Sequence, residues 1–281
     1  MIDPATPDNT GGARPPPVRS RALPWHRRAW FETLQFLLLL TLAVWLTLRG
    51  AQGMGYQWKW DKVPRYLWRM VDGEIIWGPL LKGLAVTLDI AWIAGLLALA
   101  IGLATALLRL SRSVVGHAIA WVYIELIRNT PILVQVLIFY FIIGAILGIS
   151  RQWAGILCLA FYEGAFAAEV IRGGIVAVRR GQWEAGQSLG FSTASLYRDI
   201  ILPQAVPLML PPLGGILVNL VKHSAVVSVI AVFDLTTQAR TVVSDTFMAF
   251  EIWLTTAALY LVVTLTLSLG VAWLERRMKV P

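Results

Sequence analysis

The chain has 281 residues, of which 57% are hydrophobic and only 14% charged; its mean hydropathy is +0.68 and its formal net charge +8. A soluble domain of this size carries charge on roughly a quarter of its residues, so the composition excludes an ordinary water-soluble fold and makes lipid the surrounding medium. The basic residues flank apolar runs and form no stripe with interleaved aromatics, which argues against a nucleic-acid partner.

Residues 1–31 are basic and Pro-rich, with Pro15, Pro16 and Pro17 followed by Arg19, Arg21, Arg27 and Arg28. Such a stretch buries little, and the expectation is a disordered cytoplasmic tail. Residues 32–79 follow as a first transmembrane helix, over about Thr33–Leu48, and a polar segment. That segment mixes Trp58, Trp60, Trp68 and Trp77 with Lys59, Lys62, Arg65 and Arg69. The mixture predicts a helix lying at the membrane interface, where indole rings are favoured.

Five more apolar runs occupy about Leu80–Leu108, His117–Ile149, Trp153–Ile175, Ala205–Val232 and Ile252–Leu274. Runs of ~20 residues at ~1.5 Å each span a ~30 Å hydrocarbon core. The fold class expected is therefore all-α, a polytopic membrane protein of about six helices. Pro131 interrupts the third run, and Pro207, Pro211 and Pro212 are expected to break the fifth. With the N-terminus in the cytoplasm, Arg109, Arg112, Arg179, Arg180, Arg198, Arg276 and Arg277 also fall inside, which predicts that both termini are cytoplasmic.

Ionisable groups within such runs are costly and are usually paired or functional. Glu125 with Arg128, and Glu169 with Arg172, stand three apart on one helix face and are read as structural ion pairs. Lys222 has no partner three or four residues away, so it is a cation for a substrate carboxylate, or the partner of Glu163 or Asp89 on another helix, or it snorkels outward. Asn219, His223, Ser224 and Glu163 would share its polar lining. Cys158 and the scattered His26, His117 and His223 offer neither a disulfide nor a metal site, and no cofactor is expected.

The loop after the fourth run, 179–203, contains Glu184-Ala185-Gly186, then Gly190, then Ile200-Ile201-Leu202-Pro203. Its residues predict a short helix, a turn at Gly190, and a second short helix capped by Ser192 or Thr193 and ended by Pro203. This pattern resembles the loop signature of ABC-importer permeases: Glu-Ala-Ala, three residues, Gly, nine residues, Ile-x-Leu-Pro. Gly186 departs from it, standing where Ala is usual. Gly83-Leu84-Ala85-Val86-Thr87-Leu88, Glu125 through Gln135 (with Arg128, Thr130, Pro131 and Leu133 in register) and Ala168 through Ile175 resemble the polar amino-acid class of these permeases. His223 departs from that class, which usually has Asp or Asn after the Lys.

The resemblance covers about residues 80–277 and implies a non-catalytic permease subunit of an ATP-driven importer in a bacterial inner membrane. Its implied partners are ATP-binding cassette ATPase subunits, a second permease subunit, identical or homologous, and a periplasmic substrate-binding protein. Glu184, Ala185, Gly186, Leu189, Gly190, Phe191 and Pro203 become the expected ATPase-coupling residues. The chain itself has no G-x-x-x-x-G-K-[ST] phosphate loop. The competing expectation is a secondary transporter or channel working through Glu163 and Asp89, which has no use for the 184–203 loop.

Overall fold

A computed structural model describes residues 29–53 and 55–278; the expected disordered tail falls almost wholly outside them. The chain divides into two units, Met1–Gln57 and Trp58–Pro281, each described by itself.

In the first unit α1 spans Ala29–Gly53. Its stretch Trp30–Leu46 is apolar, and Phe36, Leu38 and Leu39 are all exposed although they point in different directions around the helix. A helix that is apolar on every face suits lipid, not water.

The second unit opens with a single 3-10 turn, Trp60–Lys62, and the four-residue α2, Pro64–Leu67. Then comes a hairpin, β1 Trp68–Val71 and β2 Glu74–Trp77, paired antiparallel with Trp68 opposite Trp77. This corrects the expectation of an interfacial helix. Asp72 and Gly73 both adopt positive φ, 51° and 82°, and an Asp-Gly turn of that kind matches the twist of two antiparallel strands.

The membrane-spanning body follows. α3, Pro79–Leu110, packs along α7, Arg151–Val176, which is the most enclosed of the long helices. Small residues let their backbones approach: a Cβ on Gly102 would stand 2.7 Å from the Ala167 Cβ. Ile90, Ile156, Leu159 and Leu220 fill the core beside this seam.

Between α3 and α7 run α4, Val114–Arg128, and α5, Ile132–Ile138, which continues through a π-helical turn, Phe139–Gly144, into α6, Ala145–Leu147. The two halves meet at Pro131 with a bend of 109°. Buried Gln135 pins the bend, its Nε2 donating to the carbonyls of Ile127 and Thr130 at 2.8 and 2.9 Å. These are backbone acceptors near the proline break, where the helical ladder is interrupted.

After α7 come α8, Arg180–Ser188, and α9, Thr193–Leu196; a π-helical turn, Tyr197–Ile201, joins α9 to α10, Leu202–His223. Two expectations are corrected here. Pro203 does not end a helix: it sits in the first turn of α10, where an amide proton is not needed. Nor do Pro207, Pro211 and Pro212 break the span, since α10 runs through all three. The helical path changes only beyond His223, in the 3-10 segment Ser224–Ile230.

α11, Leu235–Thr246, is capped by buried Asp234, which accepts from the amides of Thr237 and Thr236 at 2.9 and 3.2 Å. α12, Ala249–Met278, closes the body. Within it four helical runs are long and apolar enough to cross a bilayer, and the bent α4–α6 path makes a fifth. Counted together with α1, this agrees with the expectation of about six helices.

Candidate functional site

A polar cavity of about 400 Å³ opens between α4, α7 and α10. Arg128 from α4, Tyr162, Glu163, Phe166 and Glu169 from α7, and Asn219 and His223 from α10 line it. Glu163 is 2% exposed, and its carboxyl oxygen lies 2.7 Å from the His223 Nδ1. Tyr162 packs edge-on against the His223 ring at 5.6 Å between centroids and holds Phe166 on its other side at 5.2 Å.

The sequence-predicted pathway residues divide. Glu163, Asn219 and His223 meet in this cavity. Lys222 is exposed and is not among its lining residues, because one step along a helix turns a side chain by ~100°. Lys222 also does not pair with Glu163, whose partner is His223. Ser224 is fully buried and donates to the Val221 carbonyl at 2.8 Å, outside the cavity lining.

The two predicted ion pairs divide as well. Arg172 donates to both oxygens of Glu169, at 2.8 and 3.3 Å, and Arg109 from α3 stands 3.9 Å from the same carboxylate. Glu125 and Arg128 make no ion pair: the Asn129 amide donates to Glu125 at 2.8 Å, and the Arg128 guanidinium lies over the Phe166 ring at 5.4 Å. The spacing put Glu125 and Arg128 on one face, but Asn129 stands four residues from Glu125 and competes successfully for it. Arg128 is thereby left facing the cavity. Arg109, Tyr162 and Phe166 escaped sequence reasoning, since each acts across helices from distant positions in the chain. Among the described residues, no group of three His, Cys, Asp or Glu side chains is placed to hold a metal ion.

The loop 179–203 has the expected helix–turn–helix form. Gly190 takes φ +79°, and the amides of Gly190 and Phe191 return to the carbonyls of Gln187 and Gly186 at 3.0 and 3.1 Å. This is the paired closure by which a left-handed glycine satisfies the last carbonyls of a helix. Ser192 starts α9, accepting from the Ser195 amide at 3.2 Å.

Glu184, Ala185, Leu189, Gly190, Phe191 and Pro203 are exposed, Leu189 at 76%. Glu184 is held by Arg180 at 2.9 Å. Gly186 is the exception and corrects the expectation that it contacts a partner. It is buried inside the loop, and a Cβ there would run into Leu196 Cδ1 and stand 3.0 Å from Ile200 Cδ1. The substitution that departs from the loop signature thus makes room for this chain's own α9.

Comparison with known proteins supplies the frame for both features. Residues 78–280 match the family described as "Binding-protein-dependent transport system inner membrane component". The chain is 41% identical over 183 residues to the "Probable glutamine ABC transporter permease protein GlnM" of Bacillus subtilis (strain 168), covering 64% of this chain and 83% of that one. It is 37% identical over 215 residues to the "Glutamine transport system permease protein GlnP" of Escherichia coli (strain K12), covering 74% of this chain and 98% of that one. A solved structure described as an amino acid ABC transporter with histidines superposes with a TM-score of 0.67 at 41% identity, covering 71% of this chain and 94% of that one.

Proposed function

The chain belongs to the family of inner membrane components of binding-protein-dependent transport systems, and from that premise we propose that it is the permease subunit of an ATP-driven importer whose pathway carries a polar amino acid. The relatives named for glutamine transport support the substrate class. The cavity supports it chemically. An amino acid presents a carboxylate and an ammonium: Arg128 offers a guanidinium to the first, the Glu163–His223 pair an acceptor to the second, and Asn219 an amide to a polar side chain.

ATP hydrolysis resides in separate cassette subunits that dock on the 179–203 loop. The observation that carries this reading is the exposed ridge Glu184, Ala185, Leu189 and Phe191, held in shape by Gly190. Leu189 is left uncovered by the described residues and suits an apolar groove on a partner. The clustered arginines support an orientation in which both termini and this loop face the cytoplasm. A periplasmic binding protein then delivers substrate to the opposite face, where α11 lies. A second permease, identical or homologous, completes the pathway.

The test is reconstitution in liposomes with the cassette and binding-protein subunits, following uptake of labelled amino acids. Uptake of glutamine or a related polar amino acid that requires both partners and ATP is the expected result. Uptake that continues without the cassette subunits would overturn the reading in favour of a secondary transporter.

A further inference from the structure

Three cations stand together where the segment before α3 meets the first turn of that helix. Arg65, Arg69 and Lys82 line one cavity of about 400 Å³, walled by Tyr66, Trp77 and the start of α3. Arg65 is oriented by Tyr66: its Nη2 donates to the phenol oxygen at 3.0 Å and its guanidinium stacks on the ring at 5.0 Å. Among the described residues none of the three cations belongs to an ion pair. Three positive groups around one concavity repel one another unless an anion joins them.

The hairpin beside the cavity is one-sided. The register places Trp68 opposite Trp77 and Met70 opposite Ile75, so these four side chains share a face. They are 49%, 55%, 65% and 63% exposed respectively. Two indoles, a thioether and an isoleucine on one exposed face are unfavourable in water and at home at the boundary between headgroups and acyl chains. The hairpin ends at Trp77 and the spanning helix α3 begins at Pro79, which fixes the cavity at one end of a membrane span. Cations, anion-sized space and a lipid-compatible face thus coincide at headgroup depth.

We propose that this cavity binds the phosphate of a membrane phospholipid, while the Trp68, Met70, Ile75 and Trp77 face lies against the acyl chains of the same leaflet. Guanidinium groups suit the paired oxygens of a phosphodiester, and Lys82 adds a mobile point charge. An acidic surface on a soluble partner would satisfy the cations but leave the apolar face wet, so lipid is the occupant that accounts for both.

Native mass spectrometry of the full transporter complex, purified in mild detergent with phosphatidylglycerol present, tests this. A phospholipid should remain on each copy of the chain, and the triple variant R65Q/R69Q/K82Q should lower its occupancy at least about tenfold, given the worth of each basic group near a lipid surface. The charge-preserving R65K/R69K variant should keep clearly more lipid than the glutamine variant, and W68S/W77S should lose much of it with the cations untouched. Equal occupancy in wild type and the glutamine triple variant would overturn the proposal. So would loss of lipid from the lysine variant to the same degree, because charge would then not be the cause. Displacement of the lipid by inorganic phosphate alone would overturn it in favour of a free-anion site. A triple variant that keeps its lipid but no longer responds to the binding protein would overturn it in favour of a protein-docking surface.

Discussion

The His223 imidazole and the Glu163 carboxyl group, 60 residues apart in sequence, meet at 2.7 Å on the wall of a membrane cavity. A single proton bridges two groups on different helices, so the contact joins α7 to α10 and presents polarity to the cavity. Glu163 is nearly inaccessible, whereas His223 is about one third exposed. Removing the histidine therefore leaves a buried carboxyl group without its partner. His223→Ala is expected to destabilise the complex by about 2–3 kcal/mol, below the range for fully buried pairs because of the exposed imidazole. Glu163→Gln keeps a hydrogen-bonding group and should cost less than about 1.5 kcal/mol. Thermal unfolding of the two variants checks the order; equal losses would contradict the asymmetry in burial.

Gly186 leads to a prediction against the family pattern. Restoring the usual alanine adds helix propensity of about 1 kcal/mol but forces a methyl group into Leu196 and against Ile200. Leu196 is 3% exposed, so it has little room to yield. Overpacking of this kind costs about 1–3 kcal/mol, and Gly186→Ala should be neutral to destabilising by about 2 kcal/mol. Leu196→Ala should suppress the effect in a double-mutant cycle measured on cassette co-purification and thermal stability.

Gly190 concerns conformation, not space, for nothing lies within 4 Å of a Cβ built there. A β-branched residue at φ +79° pays for a left-handed backbone directly, by about 1–2 kcal/mol. Gly190→Val should leave membrane insertion intact and reduce both cassette retention in detergent and ATP-driven uptake. Gly190→Asn, which tolerates that backbone, should restore most of both. If valine and asparagine behaved alike, the turn would not be what presents Leu189 and Phe191.

Asp234 supplies a pH-dependent signal outside the spans. Burial raises its carboxyl above the ordinary value of 3.8, and the bonds from Thr237 and Thr236 offset part of the rise. A carboxyl raised by folding contributes stability while protonated and loses it as pH climbs from the unfolded value through the folded one. Wild-type stability should therefore carry a falling component above about pH 4 that Asp234→Asn removes. Asparagine still caps α11. Asp234→Ala, with no cap, should lose about 1–2 kcal/mol across the pH range. Unfolding of the three proteins from pH 4 to 8 separates the two effects.

The spanning helices were legible because lipid leaves the backbone few alternatives: an uncharged run of the right length has to be a helix. The loop around Gly190 was legible for a local reason, since both its turn and its Ser192 cap are written within a few residues. The hairpin was equally local, and Asp72-Gly73 announced it; the density of tryptophans drew attention to the interface and away from the alternation of Trp68, Met70, Ile75 and Trp77. Lys222 and His223 show what sequence withholds. They are neighbours in the chain, but only the rotation of α10 about its axis decides which one faces the cavity. That rotation is fixed by packing against α7 and α12, whose contacts lie far away in sequence. Pro203, Pro207, Pro211 and Pro212 misled for a related reason: proline removes a donor, but a helix packed on its neighbours survives the loss.

Those prolines have a mechanical consequence. The helical run Thr193–Ile230 carries the Ser192-capped turn at one end and Asn219 and His223 further along, so the docking loop and the cavity wall belong to one rod. Proline at 207 and 211 stands four residues apart, so those two missing amide protons lie within about 40° of each other around the rod, and that of Pro212 lies about 100° further round. Three ladder bonds are therefore missing along one stretch of the rod, and it yields to bending there more readily than on either side. A push at the Ser192 end meets that softer stretch before it reaches Asn219 and His223, so the docking loop and the cavity wall are joined through a built-in point of give.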